Sequence, residues 1–388
     1  MEYRKVKLKE IANINMGQSP KGSSYNNQKM GMPFLQGNRT FGRIYPNIDT
    51  WTTEPNKIGK KNSILMSVRA PVGDLNIANQ NVCIGRGLCS IEMKNKNNKY
   101  LYYLLINSIN VIKRKSTGTV FDSINRKELE EIEVLDFDET QQNKIVNILF
   151  SIDQKIELNN QINDNLYKII KIIYKEWFEN GETINNGILD KLGNYLEIER
   201  GLSYKGKFLA EEGTPMINLG NIMPNGVFRL EKNKFYTGDY KEKVTTNVGD
   251  IVIANTDMTQ DRAVIGTPVI IPPIYDGQVI FSHHIYGLKN LKLPKMYIFY
   301  SLLSNRYNNI VAGSVTGTTV LALPKEIIQN YEILIPNKEK LNKFEEIAET
   351  MQKRREQIIL ENIQLEKLRD TLLPKLINGE INLENIEI

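Results

Sequence analysis

"STGTVFDSINRKELEEIEVLDF" (Ser116–Phe137) and "SVTGTTVLALPKEIIQNYEILIP" (Ser314–Pro336) state one phrase twice. Each runs Thr-Gly-Thr, a short spacer, Lys-Glu-aliphatic, then an alternating apolar strand. Upstream, "INMGQSPKG" (Ile14–Gly22) matches "IERGLSYKG" (Ile198–Gly206) at an offset of 184, so that Gly17, Ser19, Lys21 and Gly22 fall on Gly201, Ser203, Lys205 and Gly206. "GMPFLQGN" (Gly31–Asn38) faces "GTPMINLGN" (Gly213–Asn221), "NSILMS" (Asn62–Ser67) faces "GDIVIA" (Gly249–Ala254), and "YLYYLL" (Tyr100–Leu105) faces "YIFYSLL" (Tyr297–Leu303). The segments between these matches differ. A repeated scaffold carrying different loops suits two readers of different targets, and a repeat of this kind decides the architecture.

A long helical pattern follows each block, the first without proline. In the first, Ile145, Leu149, Ile152, Ile156, Leu166, Ile170, Ile173 and Trp177 recur at spacings of three and four, interrupted by Asn159 and Asn163. In the second the seam reads Phe344, Ile347, Met351, Arg354, Ile358, Glu361, Leu365, Leu368 and Leu372. Such heptad spacing predicts coiled-coil packing. Both patterns close on Asn-Gly-Glu (Asn180–Glu182, Asn378–Glu380), where glycine is a helix C-cap signal. A rod of about 60 Å cannot bury its own seam. The two are expected to pair with each other, antiparallel, giving pseudo-two-fold symmetry. The fold expected is α/β (α+β): two tandem globular blocks, each followed by a long helix.

The 388 residues exceed one ordinary domain. The sequence contains no run of apolar residues long enough to span a bilayer, and "MEYRKVKLKE" lacks the apolar core of a secretory signal. The two cysteines, Cys83 and Cys89, fit a reducing compartment and buried packing positions. Net charge is +5 but unevenly spread. Residues 1–137 hold 21 Lys and Arg against 12 Asp and Glu, whereas residues 181–336 hold 15 of each. The first block is basic enough to suggest a polyanion partner.

Catalytic signatures are missing. There is no phosphate-binding G-x-x-x-x-G-K-[ST] loop, no complete G-x-G-x-x-G, and no Asn/Asp-Pro-Pro-aromatic run of an amino-methyltransferase. The two histidines, His283 and His284, are adjacent; on a strand their side chains are expected on opposite faces, which argues against a metal site.

The polar residues of the divergent loops suit nucleic-acid contact, since Arg reads guanine bidentately and Asn or Gln reads adenine. In the first block the candidates are Ser19, Lys21, Gln36, Asn38, Arg39, Arg43, Arg69 and Arg86. Lys113, Lys115, Thr117 and Thr119 join them, with hydroxyls flanking a glycine that lets backbone approach a phosphate. In the second they are Ser203, Lys205, Asn218, Asn221, Asn255, Thr256, Gln260, Arg262, His283, Thr316 and Thr318. Each taken singly is as readily a turn or surface residue.

The pattern resembles the specificity subunit of Type I restriction–modification systems. Its carriers are the L-x-x-[IY]-x-x-I openings (Leu8–Gly17, Leu192–Gly201), "SVRAPVG", the Thr-Gly-Thr phrases, and "Q-x-x-I" and "L-x-x-L-R-x-x-L-L-P-x-L-I-x-G-E" in the helices. The resemblance implies a target recognition domain over residues 1–137 and a central spacer helix over 138–181. A second recognition domain over 182–336 and a C-terminal spacer helix and tail over 337–388 would follow. It implies a cytoplasmic, non-catalytic subunit whose two domains each read half of a bipartite site on double-stranded DNA. The helices would space them and dock two methyltransferase subunits, an ATP-dependent restriction subunit joining later, with S-adenosylmethionine and ATP bound by those partners. The alternatives are the recognition portion of a fused restriction–methyltransferase enzyme, and a coiled-coil scaffold binding only proteins.

Overall fold

The computed structural model describes residues 3–116, 122–180, 187–257, 263–315 and 321–383. The chain forms two compact units, one of residues 1–157 with 364–388 and one of residues 158–363.

In the first unit β1 (Tyr3–Lys7) leads through α1 (Leu8–Ile11) into β2 (Ala12–Met16). The short strands β3 (Tyr25–Asn26), β4 (Met32–Leu35), β5 (Trp51–Thr52) and β6 (Ile58–Gly59) follow. Then come β7 (Ile64–Ser67), β8 (Leu75–Ile77), β9 (Val82–Ile84) and β10 (Leu88–Met93), helices α2 (Asn98–Asn107), α3 (Ile109–Lys115) and α4 (Arg126–Glu130), and β11 (Glu133–Phe137). They make three sheets, ordered β1-β11, β2-β10-β7-β8 and β3-β5-β4-β9-β6. All pairs are antiparallel except β4 with β9, so the fold is mixed α/β. Strand β7 is buried at every position, which is why it reads as a continuous apolar run. Helix α2 starts where the Asn97 side chain accepts the Tyr100 amide, and it lays Tyr100, Leu101, Tyr103 and Leu104 into the core. The Lys-Glu of the repeated phrase lies in α4, whose capping box joins Asn125 and Glu128.

The second unit repeats this plan. Its strands are β12 (Ile188–Lys191), β13 (Glu197–Arg200), β14 (Leu209–Ala210), β15 (Thr214–Ile217), β16 (Ile222–Met223), β17 (Val227–Phe228), β18 (Lys234–Tyr236), β19 (Thr245–Thr246) and β20 (Ile251–Ala254). They continue with β21 (Thr256–Asp257), β22 (Pro268–Ile270), β23 (Val279–Phe281), β24 (Ile285–Lys289), β25 (Leu321–Ala322) and β26 (Glu332–Ile335). The sheets run β12-β26, β13-β24-β20-β22 and β14-β18-β15-β23-β19, which match those of the first unit strand for strand. The parallel pair recurs as β15 with β23. The second unit adds a β16–β17 hairpin and a β21–β25 pair.

Helix α5 (Glu139–Tyr174) gives its first half to one unit and its second to the other. After α6 (Lys295–Ser301), α7 (Asn305–Ser314) and α8 (Lys325–Gln329), helix α9 (Lys338–Ile377) does the same in reverse. Within the second unit the Asn159 amide donates to Glu361 (3.0 Å) and Asn362 (2.9 Å), while Arg355 donates to Asn163 (3.1 Å). Rising numbers on one helix meet falling numbers on the other, so these segments run antiparallel. In the first unit Lys144 donates to the Leu383 carbonyl (2.8 Å) and Arg369 to Asp153 (2.9 Å), in the same sense.

The α5 seam follows its spacing: Ile145, Leu149, Ile156, Asn159 and Ile170 are buried. The α9 seam keeps Phe344, Ile358 and Glu361 of the one its heptads suggest and departs from it between and beyond them. Ala348 is buried where Ile347 is expected, Arg355 rather than Arg354 reaches the partner helix, and Leu368 is 47% exposed. A straight helix drifts against a seven-residue repeat, and α9 is polar enough for either phase to read as a seam. No helix among the described residues is long and apolar enough to cross a membrane.

Candidate nucleic-acid interface

A single tight junction recurs in both units and gathers four of the candidate polar residues in each. In the first unit the chain leaving β2 crosses the β9–β10 turn: the Gly17 amide donates to Leu88 and that of Gln18 to Ile84, both at 2.9 Å. The loop after β4 closes on the same turn, Gly85 donating to the Leu35 carbonyl (2.8 Å) and Gly87 to that of Gln36 (3.2 Å). The chain leaving β7 lies alongside, with Val68 donating to Gly87 (2.9 Å), Ile124 donating to Val68 (3.1 Å), and Arg69 bridged to Ser123. At the centre, Ser19 Oγ accepts the Arg86 amide (3.2 Å) and donates to Gln36 Oε1 (2.9 Å). Arg86 and Arg69 are exposed, and neither takes part in an ion pair among the described residues.

The second unit makes the same bonds. Gly201 donates to Ile285 (3.1 Å), Leu202 to Phe281 (2.8 Å), Ser282 to Ile217 (2.9 Å), Asn255 to His284 (2.9 Å) and Leu323 to Asn255 (2.8 Å). These bonds keep the sequence matches at Ser19 and Gln36 and add positions that sequence comparison leaves unmatched, at Arg69 and Arg86. Ser19 corresponds to Ser203, Gln36 to Asn218, Arg69 to Thr256, and Arg86 to His283. The scaffold is common to both and the side chains at its tip differ. In sequence the Thr-Gly-Thr phrases end four positions before Ser123 and Ala322, the residues bridged to Arg69 and Thr256.

The candidates divide as follows. Ser19, Gln36, Arg69 and Arg86 meet at the first junction, and Ser203, Asn255, Thr256 and His283 at the second. Lys21 and Lys205 are exposed one turn on, each N-capping a short 3-10 turn. Asn38 is bonded to Asp74 (2.5 Å) and Arg39 to Asp49 (2.7 Å), beside a 190 Å³ cleft that Gln36 also lines. Lys113 and Lys115 are exposed on the last turn of α3. Asn218 and Asn221 point inward: Asn218 donates to Asn221 (2.7 Å) and the Lys232 carbonyl (2.9 Å), and Asn221 to the Arg229 carbonyl (3.0 Å), so both organise their loop. Arg43 is turned away from this junction; its half-buried guanidinium reaches Asp153 (3.1 Å) on α5. Thr117, Thr119, Gln260, Arg262, Thr316 and Thr318 lie outside the described residues.

Charge is redistributed too. Arg4, Lys5, Lys7 and Lys9 pair with Asp136, Glu133 and Glu131 along β1 and β11. Lys7 and Lys9 hold the Glu131 carboxyl down at about 2. These four cations are therefore engaged with acids of their own block, and its excess of positive charge resides on other residues. In the second unit an open groove of 570 Å³ is lined by Ser203, Asp239 and Tyr240 together with Arg200, Lys241 and Lys243, three cations that a reading by repeats passes over. Arg200 stands immediately before the repeated Gly201, where the first copy has Met16, so a cation gained in only one copy was the available signal.

The histidines correct an expectation. They occupy the turn between β23 and β24 instead of a strand, and their rings lie together with centroids 3.8 Å apart. Among the described residues no group of three or more His, Cys, Asp or Glu is placed to hold a metal ion. Cys83 and Cys89 are buried, and burial pushes the Cys89 thiol up to about 12.

The family model described as Type I restriction modification DNA specificity domain matches residues 1–168 and 189–369. The chain is 28% identical over 357 residues to the Type I restriction enzyme MjaIX specificity subunit of Methanocaldococcus jannaschii, covering 85% of this chain and 80% of that one. It is 41% identical over 162 residues to the putative type I restriction enzyme MjaX specificity subunit of the same organism, a match covering 41% of this chain and 38% of that relative. In fold it is similar to the crystal structure of the Type I restriction–modification S subunit from M. genitalium, with a TM-score of 0.60 at 17% identity over 97% of this chain and 96% of that one.

Proposed function

The chain belongs to the Type I restriction modification DNA specificity domain family, whose specificity subunits are non-catalytic components, and from that premise we propose that it selects the DNA site for a methyltransferase and nuclease complex. Each unit reads one half of a bipartite site through the tip of its junction. The two long helices act as an antiparallel coiled coil that spaces the readers and docks two methyltransferase subunits; an ATP-dependent restriction subunit completes the complex. S-adenosylmethionine and ATP belong to those partners, and the complex works in the cytoplasm.

The observation that carries this reading is the pair of equivalent junctions: one backbone hydrogen-bond pattern presenting Arg86 in one unit and His283 in the other. A structural repeat serving stability alone has no need to vary its exposed tips while keeping the backbone beneath them. Methylome sequencing of the host with and without this chain tests it, the expected result being loss of one two-part methylated motif. Arg86→Ala is expected to relax one base position of one half-site, at about 1–3 kcal/mol of discrimination, and to leave the other half unchanged. An unaltered motif would count against Arg86 as a reader.

The spacing role has its own test. Seven residues inserted between Asn159 and Asn163, together with seven between Arg355 and Glu361, keep the seam in phase and add about 10 Å. The unread gap should lengthen by up to about three base pairs while both half-sites keep their bases. A gap of unchanged length at full methylation assigns the spacing to the methyltransferase partners instead.

A further inference from the structure

We propose that the His283–His284 pair makes DNA binding by the second unit proton-linked, whereas the first unit, with Arg86 at the equivalent position, binds with a permanent charge. This rests on the reading of the second junction as a DNA contact. These two imidazoles are the chain's whole histidine content, and the fold puts both in one turn.

The geometry is specific. The His283 amide donates to the Leu202 carbonyl (2.8 Å), where the Arg86 amide donates to Ser19 Oγ, and His283 Nδ1 is buried without a hydrogen-bond partner. His284 Nδ1 meets Thr256 Oγ1 at 2.8 Å. The groups facing the pair are mostly cationic or neutral. Arg200 Nε on β13 donates to the His283 carbonyl (3.3 Å), the Tyr204 ring lies 6.0 Å from that of His283, and Lys234 on β18 sits over the Tyr204 ring. Asp257, on the same strand as Thr256, accepts the amides of Val264 (2.8 Å) and Ile265 (3.2 Å). Burial first, then His283, Arg200 and Lys234, hold His284 below the ordinary imidazole value. The free His284 ring is therefore biased toward its uncharged form. A DNA phosphate brought against it favours the imidazolium and supplies the missing counter-charge.

The sign follows. The imidazole's proton affinity is higher in the complex than in the free chain, so binding takes up a proton. Affinity is greatest at pH below the free-chain value and falls as pH rises through the value in the complex. One linked proton changes affinity by at most about tenfold per pH unit. Arginine stays charged throughout this range, so Arg86 contributes no such slope.

The test is fluorescence anisotropy of the full chain with a mixed-sequence duplex at constant ionic strength, from pH 5.5 to 7.5. The expected result is an affinity loss of about tenfold as pH rises through this range. His283→Gln/His284→Gln should flatten the profile at the weak, high-pH level, His283→Arg/His284→Gln should flatten it at the tight level, and Arg86→His should steepen it. Binding with a flat profile in the unaltered chain overturns the proton linkage and leaves the DNA reading standing. A slope that survives in the double glutamine variant also overturns it. No binding at any pH overturns both.

Discussion

Asp153→Ala is expected to destabilise the first unit by about 3–5 kcal/mol, the usual cost of breaking a buried ion pair from one side. For a unit of this size that lowers the melting temperature by roughly 10 °C. The Asp153 carboxylate, on α5, is almost wholly buried. It accepts the Tyr103 hydroxyl (2.6 Å) from α2, Arg369 (2.9 Å) from α9, and Arg43 (3.1 Å) from the loop after β4. One group thus joins both long helices to the recognition block. Burial first, and then the nearby carboxylate, push the Tyr103 phenol well above its ordinary value, so it remains a neutral donor at any working pH. Alanine leaves two half-buried guanidinium groups and a buried hydroxyl without their shared acceptor. Urea unfolding of Asp153→Ala should show the loss, and the triple variant Asp153→Leu/Arg43→Met/Arg369→Met should recover most of it, because a well-packed apolar replacement avoids the desolvation cost. If the single variant unfolds at the parent midpoint, the carboxylate is not what ties these elements together.

Gly17→Ala and Gly201→Ala should each cost about 3 kcal/mol and each abolish recognition by one unit only. Neither glycine has a positive φ, so backbone conformation is not the reason. Space is. A Cβ on Gly17 would lie 2.2 Å from the Gly85 carbonyl oxygen and 2.7 Å from that of Leu88. On Gly201 it would lie 2.2 Å from the Ser282 oxygen and 2.3 Å from that of Phe281. These are backbone atoms of the turns that carry Arg86 and His283, and they can give way only by moving the turn. Gly22 and Gly206, repeated at the same offset, have nothing within 4 Å of a built Cβ, and their alanine variants should stay within about 0.5 kcal/mol of the parent. The informative measurement is the methylated motif of each variant. Gly17→Ala should degrade one half-site and Gly201→Ala the other. Equal behaviour of all four variants would refute the close-packing account.

The sequence by itself determined the repeat, the order of block and helix, and the mixed α/β character of each block. These rest on local signals: apolar alternation, caps, and glycines recurring at a fixed offset. Ser19, Gln36, Arg69 and Arg86 were legible as candidates because they sit in loops beside those signals. The tertiary structure alone decided which of them meet. Arg43 reads like Arg39 in "GNRTFGR", yet it turns to Asp153, because a guanidinium within reach of a buried carboxylate is held there. Asn218 and Asn221 read as base readers and instead satisfy the backbone of their own loop. The equivalence of Arg86 and His283 was invisible along the chain. It is carried by backbone hydrogen bonds, which constrain position while leaving the side chain free to differ. The α9 seam was legible at Phe344, Ile358 and Glu361 and not elsewhere for a related reason: several neighbouring phases of a polar helix look alike in sequence, and only the contacts of Ala348, Arg355 and Asn362 choose among them.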